Sequence, residues 1–202
     1  VWYSQEARMY ALVGFLSLAS VCLLIEVSRR PSLRLWALYA VVTGLSLLSH
    51  YFAFLVLLAQ LPLAPWLLGR RFKEWLGAAV VAGLIYLPWL PSQWHQLARA
   101  PGDYRAAFGL GEIAQQLLFT FSLGEGGPEP LAWAPWAFLG LAGVGLISLR
   151  RRPQTGGVLL CWLVLPVLIV YSLSRLTGLD LRAGGRIYYI VILGAFVLLV
   201  AR

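Results

Sequence analysis

Two nearly unbroken apolar runs dominate the sequence, YALVGFLSLASVCLLIEV at residues 10–27 and VLLCWLVLPVLIVYSL at residues 158–173. A helix needs about 20 apolar residues to cross the hydrocarbon core of a bilayer, and both runs approach that length. Of the 202 residues, 60% are apolar and 12% are charged, whereas soluble domains average about 25% charged residues. This composition excludes a soluble domain, a disulfide scaffold, a coiled coil and a disordered tail. It predicts an all-α, polytopic transmembrane helix bundle.

Similar apolar segments recur along the chain, and short clusters of charged residues separate them. The seven predicted membrane segments are Tyr10–Val27, Leu35–Leu48, Phe52–Leu68, Trp75–Leu90, Leu131–Leu149, Val158–Leu173 and Ile187–Ala201. Together they predict a single transmembrane domain over residues 1–202. Since Val1 is not an initiator Met, we expect this sequence to be a fragment of a longer protein.

One longer polar stretch, residues 91–130, separates the fourth segment from the fifth. Within it, one face of a helix would carry Ile113, Leu117, Leu118 and Phe121, while the glutamines and the glutamate lie elsewhere. This pattern predicts a short amphipathic helix that lies in the outer membrane interface.

The charged residues predict how the protein is oriented in a membrane. If the segments alternate across it, one side receives ten basic and two acidic residues, and the other receives six of each. The positive-inside rule makes the basic side cytoplasmic, so we expect a multi-pass protein of the plasma (inner) membrane. The basic residues form several short clusters rather than one patch, which argues against a nucleic acid partner.

The outer entrance of the first helix carries the strongest functional candidate, WYSQEARMY at residues 2–10. Charged groups at a membrane edge are costly unless they pair or meet a ligand. Glu6 is therefore a candidate catalytic residue, and Arg8 is a candidate substrate-binding residue. The alternative is an ordinary helix start, in which an acidic side chain and interfacial aromatic rings need no ligand.

The second candidate is the pair His50 and Tyr51. The apolar stretch Leu35–Leu68 would be about 51 Å long as one helix, which is too long for a single span. We therefore predict a break near His50, with its imidazole in a recess below the outer surface, where it would contact a phosphate or a sugar hydroxyl. The alternative is a histidine that only forms a hydrogen bond between packed helices.

The third candidate lies at the outer entrance of the last helix. Arg182 and Arg186 flank Gly184 and Gly185, and Tyr189 follows. Two guanidinium groups beside a helix N-terminus offer positive charge and backbone donors to an anion, so all three polar residues are candidates for substrate binding. The alternative is an interfacial loop with a tyrosine belt.

Metal chemistry is not indicated by the sequence. The two histidines are 45 residues apart, and neither has Cys or Asp neighbours at the spacing of metal ligands. We therefore predict no metal-ligating residues in this sequence and name no cofactor. Whether the protein uses a divalent cation stays open.

Three motifs carry a resemblance to a known family: YSQEARMYAL at residues 3–12, SHYFA at residues 49–53 and RIYY at residues 186–189. In this order they resemble the bacterial type-C glycosyltransferases, the relatives of dolichyl-phosphate-mannose protein mannosyltransferases and of lipid A aminoarabinose transferases. The resemblance spans essentially the whole chain. The third motif differs from the family's usual pattern, which has Arg-Tyr and a nearby Pro.

The resemblance implies an inverting membrane enzyme that transfers a sugar from a polyprenyl-phosphate donor to an acceptor at the outer face. It implies phosphate-binding roles for Arg8 and Arg186, a supporting role for Glu6, and a recess lined by His50 and Tyr51. The family's main acidic residue lies in a first external loop, upstream of the first motif. We therefore expect a fragment that lacks its N-terminal helices and this loop, and that is inactive alone.

Two other classes of function stay open. A transporter or flippase for a lipid-linked or anionic solute would need charged side chains near helix centres, and the segment centres are almost wholly apolar. A non-catalytic membrane scaffold would need only helix packing, for which the small residues of Leu131–Leu149 are suited.

Overall fold

The structure is a computed structural model, and it describes residues 2–98, 109–123, 133–177 and 188–200. These residues form helices joined by short connections, so the predicted all-α fold is confirmed. The helices are α1 (Trp2–Arg29), α2 (Leu33–Ser49), α3 (Phe54–Leu68), α4 (Phe72–Tyr86), α5 (Leu90–Ala98), α6 (Leu110–Leu123), α7 (Ala134–Ser148), α8 (Pro153–Thr177) and α9 (Tyr188–Val200). Single turns of 3-10 helix lie at Tyr51–Ala53, Gly69–Arg71, Leu87–Trp89 and Leu149–Arg151.

The chain divides into two compact units. The first contains α1 to α5 together with the first turn of α9, and the second contains α6 to α8 together with residues 192–200 of α9. The single transmembrane domain expected over residues 1–202 stays a prediction.

In the first unit, α1 to α4 pack side by side. One buried layer joins the end of α1, the start of α2, the end of α3 and the start of α4 through Leu24, Val27, Trp36, Tyr39, Ala40, Ala64, Leu68, Trp75 and Ala78. A second layer joins the first half of α1 to the ends of α2 and α4 through Val13, Leu47, Ala53, Ala82 and Tyr86. Each helix therefore runs antiparallel to the one before it. We call the two ends of this bundle the basic end, with the α1–α2 and α3–α4 connections, and the His50 end, with the α2–α3 connection.

The connections follow from local sequence. At the basic end, Ser32 caps α2, because its hydroxyl oxygen accepts a hydrogen bond from the backbone N–H of Leu35 at 3.2 Å. Gly69 reverses the chain between α3 and α4 with a φ of 55°, which glycine adopts without the steric penalty of a Cβ atom. At the other end, α2 stops at Ser49 and His50 has an extended backbone, so the predicted break near His50 is confirmed.

Three helical stretches of the described residues are long and apolar enough to cross a membrane: Ala11–Arg29, Tyr51–His95 and Pro153–Leu173. They indicate a multi-pass membrane protein. The predicted number of seven membrane segments is not confirmed. The third and fourth predicted segments fall within the one stretch Tyr51–His95, which folds back at Gly69.

Three other predicted segments correspond to helices that are short for a membrane span. In the described residues, α2 has 17 residues, α7 has 15 and α9 has 13. A straight helix needs about 20 residues to cross the hydrocarbon core, so these helices do not qualify as spans by length.

The second unit contains the helix predicted for residues 91–130. The helix α6 buries Ile113 and Leu117 and exposes Glu112, Gln115 and Gln116, as the amphipathic pattern predicts. It packs against α7. Its place in an outer membrane interface stays a prediction.

The contact between α7 and α9 depends on one glycine. A Cβ atom at Gly145 would overlap the backbone carbonyl oxygen of Leu199, so only a residue without a side chain fits there. The other α7 glycines, Gly140 and Gly143, have no neighbouring atom within 4 Å of the same position. Close helix packing is therefore a property of Gly145 and not of its two neighbours.

Candidate functional site

The structure describes the side chains of two of the predicted site residues. His50 and Tyr51 lie between α2 and α3 at the His50 end of the first unit, and both are half-buried. The structure does not describe the side chains of Glu6, Arg8, Arg182, Arg186 and Tyr189. The predicted placement of all these residues at the outer side of the membrane stays a prediction.

His50 acts as a cap on both sides of the break. Its backbone N–H donates to the carbonyl oxygen of Ser46 at 3.2 Å, which completes the last turn of α2. Its Nδ1 accepts a hydrogen bond from the backbone N–H of Phe52 at 3.2 Å, which begins the next 3-10 turn. A neutral imidazole that accepts at Nδ1 carries its proton on Nε2. Because His50 is half-buried between α2 and α3, desolvation lowers the pKa of its imidazole, which favours this neutral form.

Aromatic rings surround this imidazole. The ring centre of Tyr51 lies 4.5 Å from that of His50, and the ring centre of Phe52 lies 5.3 Å away, both in stacked arrangements. The side chain of Phe52 is buried, whereas His50 and Tyr51 are half-exposed. The group therefore combines packed aromatic rings with a polar imidazole at this end of the bundle.

A buried polar network in the first unit was missed by the sequence reasoning. The Tyr39 hydroxyl donates to Gln60 Oε1 at 2.5 Å and accepts from Trp75 Nε1 at 2.9 Å. Gln60 Nε2 donates to Ser20 Oγ at 3.4 Å, and Ser20 Oγ lies 2.8 Å from Thr43 Oγ1. The sequence did contain one signal for this network, namely Gln60 in the otherwise apolar helix α3. A polar side chain in a bilayer needs a hydrogen-bond partner.

This network links all four helices of the bundle, because Ser20 is in α1, Tyr39 and Thr43 are in α2, Gln60 is in α3 and Trp75 is in α4. Its members are uncharged and satisfy one another, so it offers no fixed charge to a ligand. Its role is to align the helices.

We predict that replacing Gln60 with Leu lowers the stability of the bundle. The change leaves the Tyr39 hydroxyl and Ser20 with fewer partners, and an unsatisfied buried polar group costs about 2 kcal/mol. The measurement is the thermal unfolding midpoint of the purified chain in detergent. The control is Gln116→Leu, on the exposed face of α6, which should leave the midpoint nearly unchanged. An unchanged midpoint for the Gln60 variant would show that the network contributes no stability.

Two grooves lie outside these clusters, one in each unit. The groove of the first unit lies between α2 and α4 at the basic end, has a volume of about 730 Å³ and includes Arg71 and Glu74 in its lining. The groove of the second unit has a volume of about 310 Å³ and is lined only by apolar side chains of α6, α7, α8 and α9.

The chemistry that these residues offer is hydrogen bonding, ring stacking and apolar binding. In the part of the chain that the structure describes, no three His, Cys, Asp or Glu side chains lie together as a metal site would require. Comparisons of the chain with protein-family models, with curated proteins and with solved structures find no match.

Proposed function

We propose that this protein is an inverting membrane glycosyltransferase of the type-C class. It transfers a sugar from a polyprenyl-phosphate donor to an acceptor at the outer face of the membrane. The observation that supports this proposal most directly is the His50 end of the first unit. There, a half-buried imidazole and a tyrosine lie at the opposite end of the bundle from the basic connections, in the middle of a motif that resembles the family's.

The proposed orientation places the basic end in the cytoplasm and the His50 end outside. Exposed arginines and lysine occupy the two connections of the basic end, as the positive-inside rule requires of a cytoplasmic side. The imidazole of His50 would then face donor molecules whose sugar has already crossed the membrane.

In the proposed reaction, an acceptor hydroxyl attacks the anomeric carbon of the sugar from the side opposite to the phosphate. The bond between that carbon and the phosphate oxygen breaks, the phosphate keeps the electron pair, and a base takes the hydroxyl proton. Arg8 and Arg186 would stabilise the charge on the departing phosphate, and Glu6 would hold Arg8 or the acceptor.

His50 suits a binding role better than the role of the base. Its Nδ1 already accepts the Phe52 N–H, so this nitrogen is not placed to take a proton from the acceptor, and the imidazole carries its own proton on Nε2. In the proposed site it donates to a sugar hydroxyl or to the phosphate, and Tyr51 offers its ring face to the sugar.

The second unit by itself contains an apolar groove of a kind that suits a hydrocarbon chain. Its walls include Leu117, Phe121, Val164 and Phe196, and the ring centres of Phe121 and Phe196 lie 5.3 Å apart. A groove without polar lining suits a hydrocarbon chain, because burying that chain needs no hydrogen-bond partner.

The described interior favours an enzyme over a transporter. Its buried polar side chains are Ser17, Ser20, Thr43, Ser46, Gln60 and Gln93, none of which is charged. A pathway for an anionic solute would need fixed positive charge in the interior.

The test is sugar transfer in membranes with and without the full-length protein, measured with radiolabelled polyprenyl-phosphate sugars. We expect transfer only when the protein is present. We also expect His50→Phe to lower transfer about tenfold, because phenylalanine keeps an aromatic ring but has no N–H group to donate to the substrate. His95→Phe, at an exposed position of α5, is the matched control. Movement of the donor across the membrane without sugar transfer would indicate a flippase, and neither effect would indicate a scaffold.

A further inference from the structure

The basic end of the first unit combines positive charge with an apolar groove. Six basic residues lie at this end and are exposed, namely Arg29, Arg30, Arg34, Arg70, Arg71 and Lys73. Two acidic residues, Glu26 and Glu74, lie among them. This end therefore attracts anions such as the headgroups of anionic lipids, most strongly at low ionic strength.

Arg71 brings part of this charge into the groove. Between α2 and α4 the groove has Arg71 and Ser32 at its mouth and Ala37, Ala40 and Val81 along its wall. A polar mouth above an apolar slot is complementary to a phospholipid in a membrane. The phosphate of such a lipid lies at the surface, and its acyl chain lies in the hydrocarbon.

Glu74, the acidic residue that lines the groove, does not form an ion pair with Arg71. Glu74 Oε2 accepts a hydrogen bond from Trp36 Nε1 at 2.7 Å, so its carboxylate is oriented toward the indole. The ion pair found among the described residues joins Arg30 to Glu26 and does not involve Arg71. Arg71 thus keeps its donors for a ligand that enters the groove.

We infer that the groove between α2 and α4 binds an anionic phospholipid. The phosphate of the headgroup contacts the guanidinium of Arg71, and one acyl chain lies along the alanine-lined wall between the two helices. An anionic lipid fits better than a zwitterionic one, because basic residues outnumber acidic ones at this end. The inference is independent of glycosyl transfer, since the groove is at the end of the bundle opposite to His50.

The experiment titrates phosphatidylglycerol into the purified full chain in detergent and measures bound lipid by native mass spectrometry. We expect Arg71→Gln to weaken binding about fivefold, the contribution of one basic residue near an anionic lipid. Val81→Trp should weaken it as well, because the indole fills the slot at an exposed position that the fold does not need. Arg34→Gln is the matched control, as an exposed arginine of the same end that does not line the groove.

Three results would overturn the inference. Equal losses with Arg34→Gln and Arg71→Gln would mean diffuse attraction to the whole basic end. Competition by inorganic phosphate at the affinity of the lipid would mean a site for free phosphate with no part for the acyl chain. Equal binding of phosphatidylcholine would mean that the positive charge does not select the ligand.

Discussion

If the protein is the proposed glycosyltransferase, replacing Arg8 or Arg186 with Ala is expected to lower sugar transfer about a hundredfold or more. The negative charge on the phosphate grows as its bond to the sugar breaks, so a cation placed beside it stabilises the transition state more than the bound donor. Removing one such preorganised donor from an active site costs about 2.7–4 kcal/mol. The loss should therefore appear mainly in kcat, with a smaller change in KM.

Glu6→Ala belongs to the same experiment. If Glu6 only holds Arg8, its loss should be smaller than that of Arg8→Ala, and the double variant should be no worse than Arg8→Ala alone. The control is Arg30→Ala, an exposed arginine at the basic end of the bundle. Normal transfer by the Glu6, Arg8 and Arg186 variants at normal expression would remove all three residues from the mechanism.

The second large effect is expected at Gly145. A Cβ atom there would overlap the carbonyl oxygen of Leu199 and lie 2.7 Å from its carbonyl carbon, and backbone atoms cannot rotate aside as a side chain can. Gly145→Ala should therefore force α7 and α9 apart at a cost of about 3 kcal/mol. The measurement is the thermal unfolding midpoint of the purified chain in detergent.

The same helix offers a control of opposite sign. A Cβ atom at Gly140 would meet no atom within 4 Å, so Gly140→Ala should be neutral or should stabilise α7 by up to about 1 kcal/mol, the difference in helix propensity. Equal midpoints for the two variants would show that α7 and α9 do not approach as closely as the structure has them.

Some features could be predicted from the sequence because they depend on the order of residues within one element. The long apolar runs predicted helices, the spacing of Ile113 and Leu117 predicted which face of α6 is buried, and the length of Leu35–Leu68 predicted the break at His50. The number of membrane spans could not be predicted in this way. Apolarity indicates that a segment can be buried, but it does not show that the helix is long enough to cross a membrane, and α2, α7 and α9 fall below that length in the described residues.

Other features exist only because helices that are distant in the sequence meet at a particular rotation and register. Gln60 of α3 accepts a hydrogen bond from Tyr39 of α2, and nothing in the sequence of α3 indicates which residue this partner is. Gly140 and Gly145 are the same residue type in the same apolar segment, yet of these two only Gly145 faces the backbone of α9. Composition and periodicity therefore determined that this protein is helical and suited to a membrane. Tertiary packing decided which side chains meet and where the groove with Arg71 at its mouth opens. The reason is that a contact between two helices depends on both of them, so the sequence of one helix does not determine it.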